Sequence, residues 1–210
     1  SLTKKYKNNF KKKNILKYKK YKKYKIIGMG GSSLGSQAIY DFLKHKIKKK
    51  FIFIDNLDQE FLREIKNTTK LSKSLFLIVS KSGNTNETII NSSFFKPYLK
   101  KTNTIIISEG RNNILSNFAK REELSFIKHN PFIGGRYSVF SEPGMLPAYL
   151  MGLRPKNFKK KLPDFLKKKK TLSSLIQKLS KLNIKKTKVL VLFNYVPELN
   201  DFMFWCQQLL

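Results

Sequence analysis

Leu75-Phe76-Leu77-Ile78-Val79 is an unbroken apolar run of strand length, and it passes directly into Ser80-Lys81-Ser82-Gly83-Asn84-Thr85-Asn86-Glu87-Thr88. An apolar run without polar alternation predicts a strand covered on both faces, as in a parallel sheet. The segment after it crowds four hydroxyls and a lysine around a glycine, at the point where a helix should begin. Three further runs of the same kind occur at 25–29, 51–54 and 104–107, with a fifth candidate strand at 124–127. Between them lie helix-like stretches at 34–47, 59–66, 86–100 and 112–120. Strands alternating with helices in this rhythm predict an α/β three-layer sandwich built on a mainly parallel five-stranded sheet.

Around this unit the chain divides into a basic lead-in (1–24), the α/β domain (25–153), a connector with one amphipathic helix at 172–182 (154–187), and a restart of the β→α pattern (188–210). In the lead-in Tyr18, Tyr21 and Tyr24 recur every third residue, which predicts either a helix with a tyrosine face or a frayed start. In the last part 188–193 reads as a strand. The stretch 198–210 reads as a helix with Pro197 at its first turn and apolar residues at helical spacing. That helix carries no stop signal, so the chain is expected to be a fragment of a longer protein.

Composition narrows the possible functions. The 210 residues carry a formal net charge of +31, but only five of the 44 basic residues are arginine. Sequence-reading nucleic-acid proteins lean on the bidentate guanidinium fork. Lysine runs such as 11–13, 48–50 and 167–170 therefore read as a solvated surface rather than as a specific nucleic-acid site. No apolar run is long enough to span a bilayer, and the basic start lacks the apolar core of a secretory signal. Cys206 is the single cysteine, which excludes an internal disulfide and a cysteine-based metal site and fits a reducing, cytoplasmic setting.

Three segments carry chemistry. Gly28-Met29-Gly30-Gly31-Ser32-Ser33-Leu34-Gly35 lies between the first strand and its helix, where glycines allow a tight turn and helix N–H groups face an anion. A dinucleotide fingerprint looks similar, but Asp55 lies closer than its usual acidic partner. In the second segment Ser80, Ser82, Thr85 and Thr88 can each donate to phosphate oxygens, and one hydroxyl would suffice merely to cap a helix. Gly134-Gly135-Arg136-Tyr137-Ser138 follows the fifth strand, where Arg136 can stabilise developing oxygen charge. His45, His129, Asp55 and Asp58 read as ordinary surface, strand-ending or capping residues. Phe202 and Trp205 read as core-facing, and Cys206 as a small buried hydrophobe.

Taken in order with Asn194-Tyr195-Val196-Pro197-Glu198-Leu199 and Trp205-Cys206-Gln207-Gln208-Leu209, these segments resemble the phosphoglucose isomerases from position 25 onward. Ser80-x-Ser82-Gly83-x-Thr85-x-Glu87 is also the general pattern of sugar isomerase (SIS) domains. The resemblance implies a SIS domain followed by the first βα unit of a second one. It implies interconversion of glucose 6-phosphate and fructose 6-phosphate by enediol proton transfer, without cofactor or metal, in a homodimer. By position it implies sugar-phosphate contacts from Gly31, Ser32, Ser80, Lys81, Ser82, Gly83, Asn84, Thr85 and Thr88. Gln208 would line the site and Arg136 would stabilise the enediolate. The family's catalytic glutamate would follow position 210, and its histidine and lysine have no match here, so the fragment alone is expected to be inactive. Other readings are a non-catalytic sugar-phosphate-binding module and a phosphoglucose/phosphomannose isomerase.

Overall fold

The computed structural model describes residues 6–68, 70–181, 188–189 and 191–210. Five parallel strands, β1 (Lys23–Ile27), β2 (Lys50–Ile54), β3 (Ser74–Val79), β4 (Thr104–Glu109) and β5 (Ser125–His129), form one sheet in the order β2-β1-β3-β4-β5. β3 is central and buried along its whole length, which is why its sequence shows no polar alternation. The helices, in chain order, are α1 (Lys12–Ile15), α2 (Leu34–Leu43), α3 (Gln59–Thr68), α4 (Asn86–Phe94), α5 (Ile114–Arg121), α6 (Glu142–Leu150), α7 (Pro155–Lys159), α8 (Leu162–Lys167), α9 (Lys169–Ser180) and α10 (Asn200–Leu209).

Successive strand residues point to opposite faces, so the sheet separates two cores. On one side Tyr24, Ile26, Leu75, Leu77, Ile105 and Ile107 meet Leu146, Tyr149 and Leu150 of α6. On the other, Ile27, Ile54, Phe76, Ile78 and Ile106 meet Leu62 and Ile65 of α3, Phe95 after α4, and Leu115 and Ala119 of α5. This is the expected three-layer α/β sandwich. α10 returns to pack along α2.

Several local expectations change. Tyr18 lies in a 3₁₀ turn (Leu16–Lys20) and Tyr24 in β1, both fully buried, so the tyrosine period reflects a turn feeding a strand rather than one helix face. The Tyr24 ring stacks on Phe51 at 4.5 Å, and its hydroxyl donates to the Tyr18 carbonyl. The helix expected at 172–182 begins earlier, as α9, and Leu182 lies outside the described residues. The strand expected at 188–193 is not formed at 188–189 or 191–193, and Leu190 lies outside the described residues. An apolar run becomes a strand only against a neighbouring strand, and the described sheet provides none beside it. Asp58 does cap α3, its carboxylate accepting the Phe61 N–H at 3.0 Å. His129 is buried rather than at the surface, with its Nδ1 against the Glu142 carboxylate.

Lys25 breaks the pattern of the core. It sits in β1 between Ile52 and Phe76 of the neighbouring strands, fully buried, and its ammonium has no hydrogen-bond partner among the described residues. Burial, reinforced by Lys23 and Lys50, pushes it down to about 8 from 10.5. Below that value the folded state carries a buried charge, and above 10.5 both folded and unfolded chains hold a neutral amine. Lys25→Met should therefore stabilise the protein near neutral pH, and about 3 kcal/mol of that gain should disappear as the pH is raised through this window. Chemical denaturation at the two pH extremes checks this, and a gain that does not depend on pH would contradict it.

Candidate functional site

The strand order reverses between β1 and β3, because the chain leaves β1 for the outer β2 and returns to β3 on the other side. Ligands of open α/β sheets bind beyond the carboxyl ends of the strands at such a switch point. Both hydroxyl- and glycine-rich loops emerge there side by side. At Gly28 a β-carbon would lie 2.8 Å from the Val79 carbonyl oxygen, so the two strand ends touch. A 3₁₀ turn (Gly30–Ser32) then leads into α2, closed by the Ser32 N–H on Met29 O and the Ser33 N–H on Gly30 O, both 3.0 Å.

The loop after β3 is held from within and from behind. The buried Ser80 hydroxyl accepts the Gly83 N–H at 3.1 Å and lies 2.9 Å from the Thr85 hydroxyl. The Ser82 hydroxyl accepts the Asn84 N–H at 3.2 Å. Gly83 has φ +70°, and a β-carbon there would fall 2.0 Å from the Asn113 side-chain oxygen and 2.6 Å from the Ser108 hydroxyl. Only glycine fits that conformation in that space. The start of α5 completes the support, with the Leu115 N–H on Gly83 O at 3.1 Å and the Ile114 N–H on the Asn84 side chain at 3.0 Å. Asn113 caps α5 through the Ser116 N–H at 2.8 Å.

The expected residues thus divide by role. Ser80 spends its hydroxyl on the loop itself and Asn84 its side chain on the start of α5, while Ser82 is exposed and Thr85 half-buried at the edge, each also bonded within the loop. Thr88 is buried, and its hydroxyl has no partner among the described residues. The Lys81 ammonium is turned to Glu109, 3.4 Å away, whose carboxylate also lies 3.8 Å from Arg111.

Arg136 reaches this edge from the far side of the sheet, in a 3₁₀ segment (Gly135–Phe140) that lies directly on the first loop. A β-carbon on Gly31 would be 2.4 Å from both the Arg136 nitrogen and the Gly135 carbonyl carbon. The Ser138 hydroxyl donates to Gly31 O at 3.1 Å, and Val139 fills the space beside Gly35. The Arg136 side chain is exposed, and among the described residues no carboxylate lies within ion-pair distance of it. α10 closes over the same point. The Trp205 indole donates to the Arg136 carbonyl at 3.1 Å, and the Gln208 amide nitrogen lies 2.8 Å from where a Gly30 β-carbon would be. The Gln208 side-chain oxygen is buried without a partner among the described residues. Trp205 and Cys206 are only half-buried and Phe202 is exposed at the margin, so these residues seat α10 on α2 and the arginine segment rather than in either core.

Ser108 and Asn113 had no signal in the sequence, and Trp205 read as a core-facing residue rather than as a support for the arginine segment. Asn113 and Ser108 bond each other but support Gly83, which lies far back in the chain, and Trp205 reaches Arg136 across 69 positions, so only the β3–β4 register and the docking of α10 bring them together. The assembled edge offers hydroxyls, glycine-rich backbone and an unpaired guanidinium, a set suited to a small anionic ligand. Gly31→Ala should force the arginine segment off the first loop. It is expected to lower stability by about 1–3 kcal/mol and to move the fluorescence of Trp205. An unchanged melting temperature and spectrum would show that the contact is not tight.

A family model described as phosphoglucose isomerase matches residues 13–164. A glucose-6-phosphate isomerase of Methanocaldococcus jannaschii is 31% identical over 214 residues, covering 94% of this chain and 52% of that protein. One of Treponema denticola is 39% identical over 130 residues, covering 56% of this chain and 23% of that protein. A solved structure of a hypothetical protein from Thermus thermophilus superposes with a TM-score of 0.63 at 26% identity, over 71% of this chain and 38% of that one. The chain spans about half or less of the length of the curated relatives it matches. With its family-model match running from α1 into α8, through every strand of the sheet and all three loops of the candidate site, this chain belongs to the phosphoglucose isomerase family.

Proposed function

We propose that the chain is the sugar-phosphate-binding portion of a glucose-6-phosphate isomerase, an aldose–ketose isomerase acting on glucose 6-phosphate and fructose 6-phosphate. The observation that carries this reading is the convergence of the Gly30–Ser32 turn, the 80–85 loop and Arg136 at the β1/β3 switch point. Ser32, Ser82, Thr85 and Thr88 supply hydroxyls for the phosphate, with backbone N–H groups around Gly31, Gly83 and Asn84. The buried, unpartnered oxygens of Thr88 and Gln208 favour a polar ligand that completes their hydrogen bonds. Lys81 contributes positive potential from its position beside Glu109 rather than a direct contact.

Isomerisation moves a proton between C1 and C2 through an enediolate, so it needs a base and a group that stabilises oxygen charge. Arg136 is the stabiliser in this reading, because its guanidinium is unpaired while its backbone is fixed against Gly31 and Trp205. The base is a glutamate in the family, and the proposal places it outside these 210 residues. The stretch 188–210 then begins the second SIS unit, with α10 carrying Gln208 to the shared site. A cytoplasmic glycolytic and gluconeogenic role follows from this reading, in a homodimer that requires neither metal nor nucleotide. Among the described residues no helix is long and apolar enough to cross a membrane.

The test is turnover by the protein that contains this chain. Interconversion of glucose 6-phosphate and fructose 6-phosphate, inhibited competitively by 6-phosphogluconate, is expected. Arg136→Ala should lower kcat about a hundredfold to a thousandfold with little change in KM. Sugar phosphates that bind without turnover would favour a binding module instead. Failure of sugar phosphates to compete with 6-phosphogluconate would overturn the proposal.

A further inference from the structure

Glu142 is fully buried at the first position of α6. Burying a carboxylate is costly unless its oxygens are hydrogen-bonded. Here the Tyr6 hydroxyl donates to both oxygens at 2.9 and 3.1 Å, and the Asn9 N–H donates to one at 2.9 Å. The His129 Nδ1 lies 3.1 Å from the other. Burial pushes the carboxyl group up, but the hydrogen bonds from His129, the Asn9 N–H and Tyr6 outweigh it and hold the group below the usual carboxylate range.

His129 is equally buried and ends β5. Its second nitrogen, Nε2, lies 3.2 Å from the Ile133 carbonyl, so the ring joins the carboxylate behind it to the backbone in front of it. Between His129 and Glu142 the chain makes the excursion 130–141, and Arg136 is carried on it. The two buried side chains therefore close the base of the loop that presents the arginine. The rest of that loop is tied forward, by the Ser138 hydroxyl on Gly31 and the Trp205 indole on the Arg136 carbonyl. At the α6 end, Gly144 is so close that a β-carbon would fall 2.0 Å from the Val139 carbonyl oxygen. Replacing a buried polar pair with apolar side chains is often neutral or stabilising, so stability alone is a weak reason for this one.

We infer that Glu142 and His129, with Tyr6 as the outer clamp, are positioning residues that set the placement of Arg136 over the Gly30–Ser32 turn. The inference deepens the proposed isomerase reading and rests on it for the role of Arg136. It also ties the N-terminal segment around Tyr6 and Asn9 to the site, although neither residue reaches it.

Trp205 is the only tryptophan in the chain, and its indole is bonded to Arg136 itself, so its fluorescence reports the placement directly. Glu142→Gln and the milder Tyr6→Phe are compared with Leu62→Ala, which opens a cavity in the core on the other face of the sheet. Below the melting transition, both clamp variants should shift Trp205 emission and raise its quenching by acrylamide. Leu62→Ala should lower the melting temperature and leave both signals as in the parent. In turnover by the protein that contains this chain, Tyr6→Phe and Glu142→Gln should lower kcat about tenfold or more while KM changes by less than about twofold. Parent-like fluorescence in Glu142→Gln and Tyr6→Phe, or an equal shift in Leu62→Ala, would overturn the inference. Inactivity of the unmutated longer protein that contains this chain would count against the isomerase reading and not against the clamp, which the fluorescence comparison on the chain decides by itself.

Discussion

The backbone of Gly31 touches the backbone of Gly135 and Arg136 with no room for a single added carbon, and the geometry of the whole edge depends on that contact. It brings a loop from the end of β1 and a loop from beyond β5 to one point, although β1 and β5 are separated in the sheet by β3 and β4. Sheet register alone would place the arginine segment over the far edge. Because the two backbones meet, the Ser138 hydroxyl can reach Gly31 O and the Arg136 carbonyl is presented to Trp205. α10 in turn has a fixed surface to close on, and it brings Gln208 to Gly30.

The second loop is built by the opposite means. Around Ser80 and Gly83 the chain uses its own hydroxyls and the amides of α5 to hold an open, left-handed turn. Several polar groups that a ligand could use are therefore already constrained by the protein, so little ordering remains to be done when an anion arrives. Of this segment's hydroxyls only the buried Thr88 has no partner among the described residues, while Ser82 and Thr85 stand at the rim with bonds inside the loop. The high positive charge of the chain adds a long-range attraction for anions, and in the proposed reading the local geometry supplies the selection.

The sheet was legible because its central strands β3 and β4 carry continuous apolar runs buried on both faces. The three loops were legible because glycine and hydroxyl residues cluster where a strand hands over to a helix. The sequence could not reveal which of those residues support and which are free, since Asn113, Ser108 and Trp205 reach them only through tertiary packing. His129 was misread as a surface residue because a lone histidine followed by Asn-Pro looks like a loop, and its partner Glu142 lies across the excursion. The tyrosines of the lead-in misled in another way. A spacing of three fits a helix, a 3₁₀ turn or a turn running into a strand, and only burial against Phe51 and Ser125 distinguishes them. At 188–193 the β-branched residues signalled a strand, but propensity without a neighbouring strand does not make one.

The central claim, that one anionic sugar ligand is held at the β1/β3 edge by two loops and the arginine segment together, is tested most directly by following backbone amide resonances during titration with glucose 6-phosphate. The account predicts saturable shifts at Gly31, Ser32 and 82–85, with the side-chain amide of Gln208 and the amide of Arg136 responding in parallel. Shifts confined to the lysine-rich surface, or saturation of the 80–85 loop without any response at Gly31 and Arg136, would contradict it.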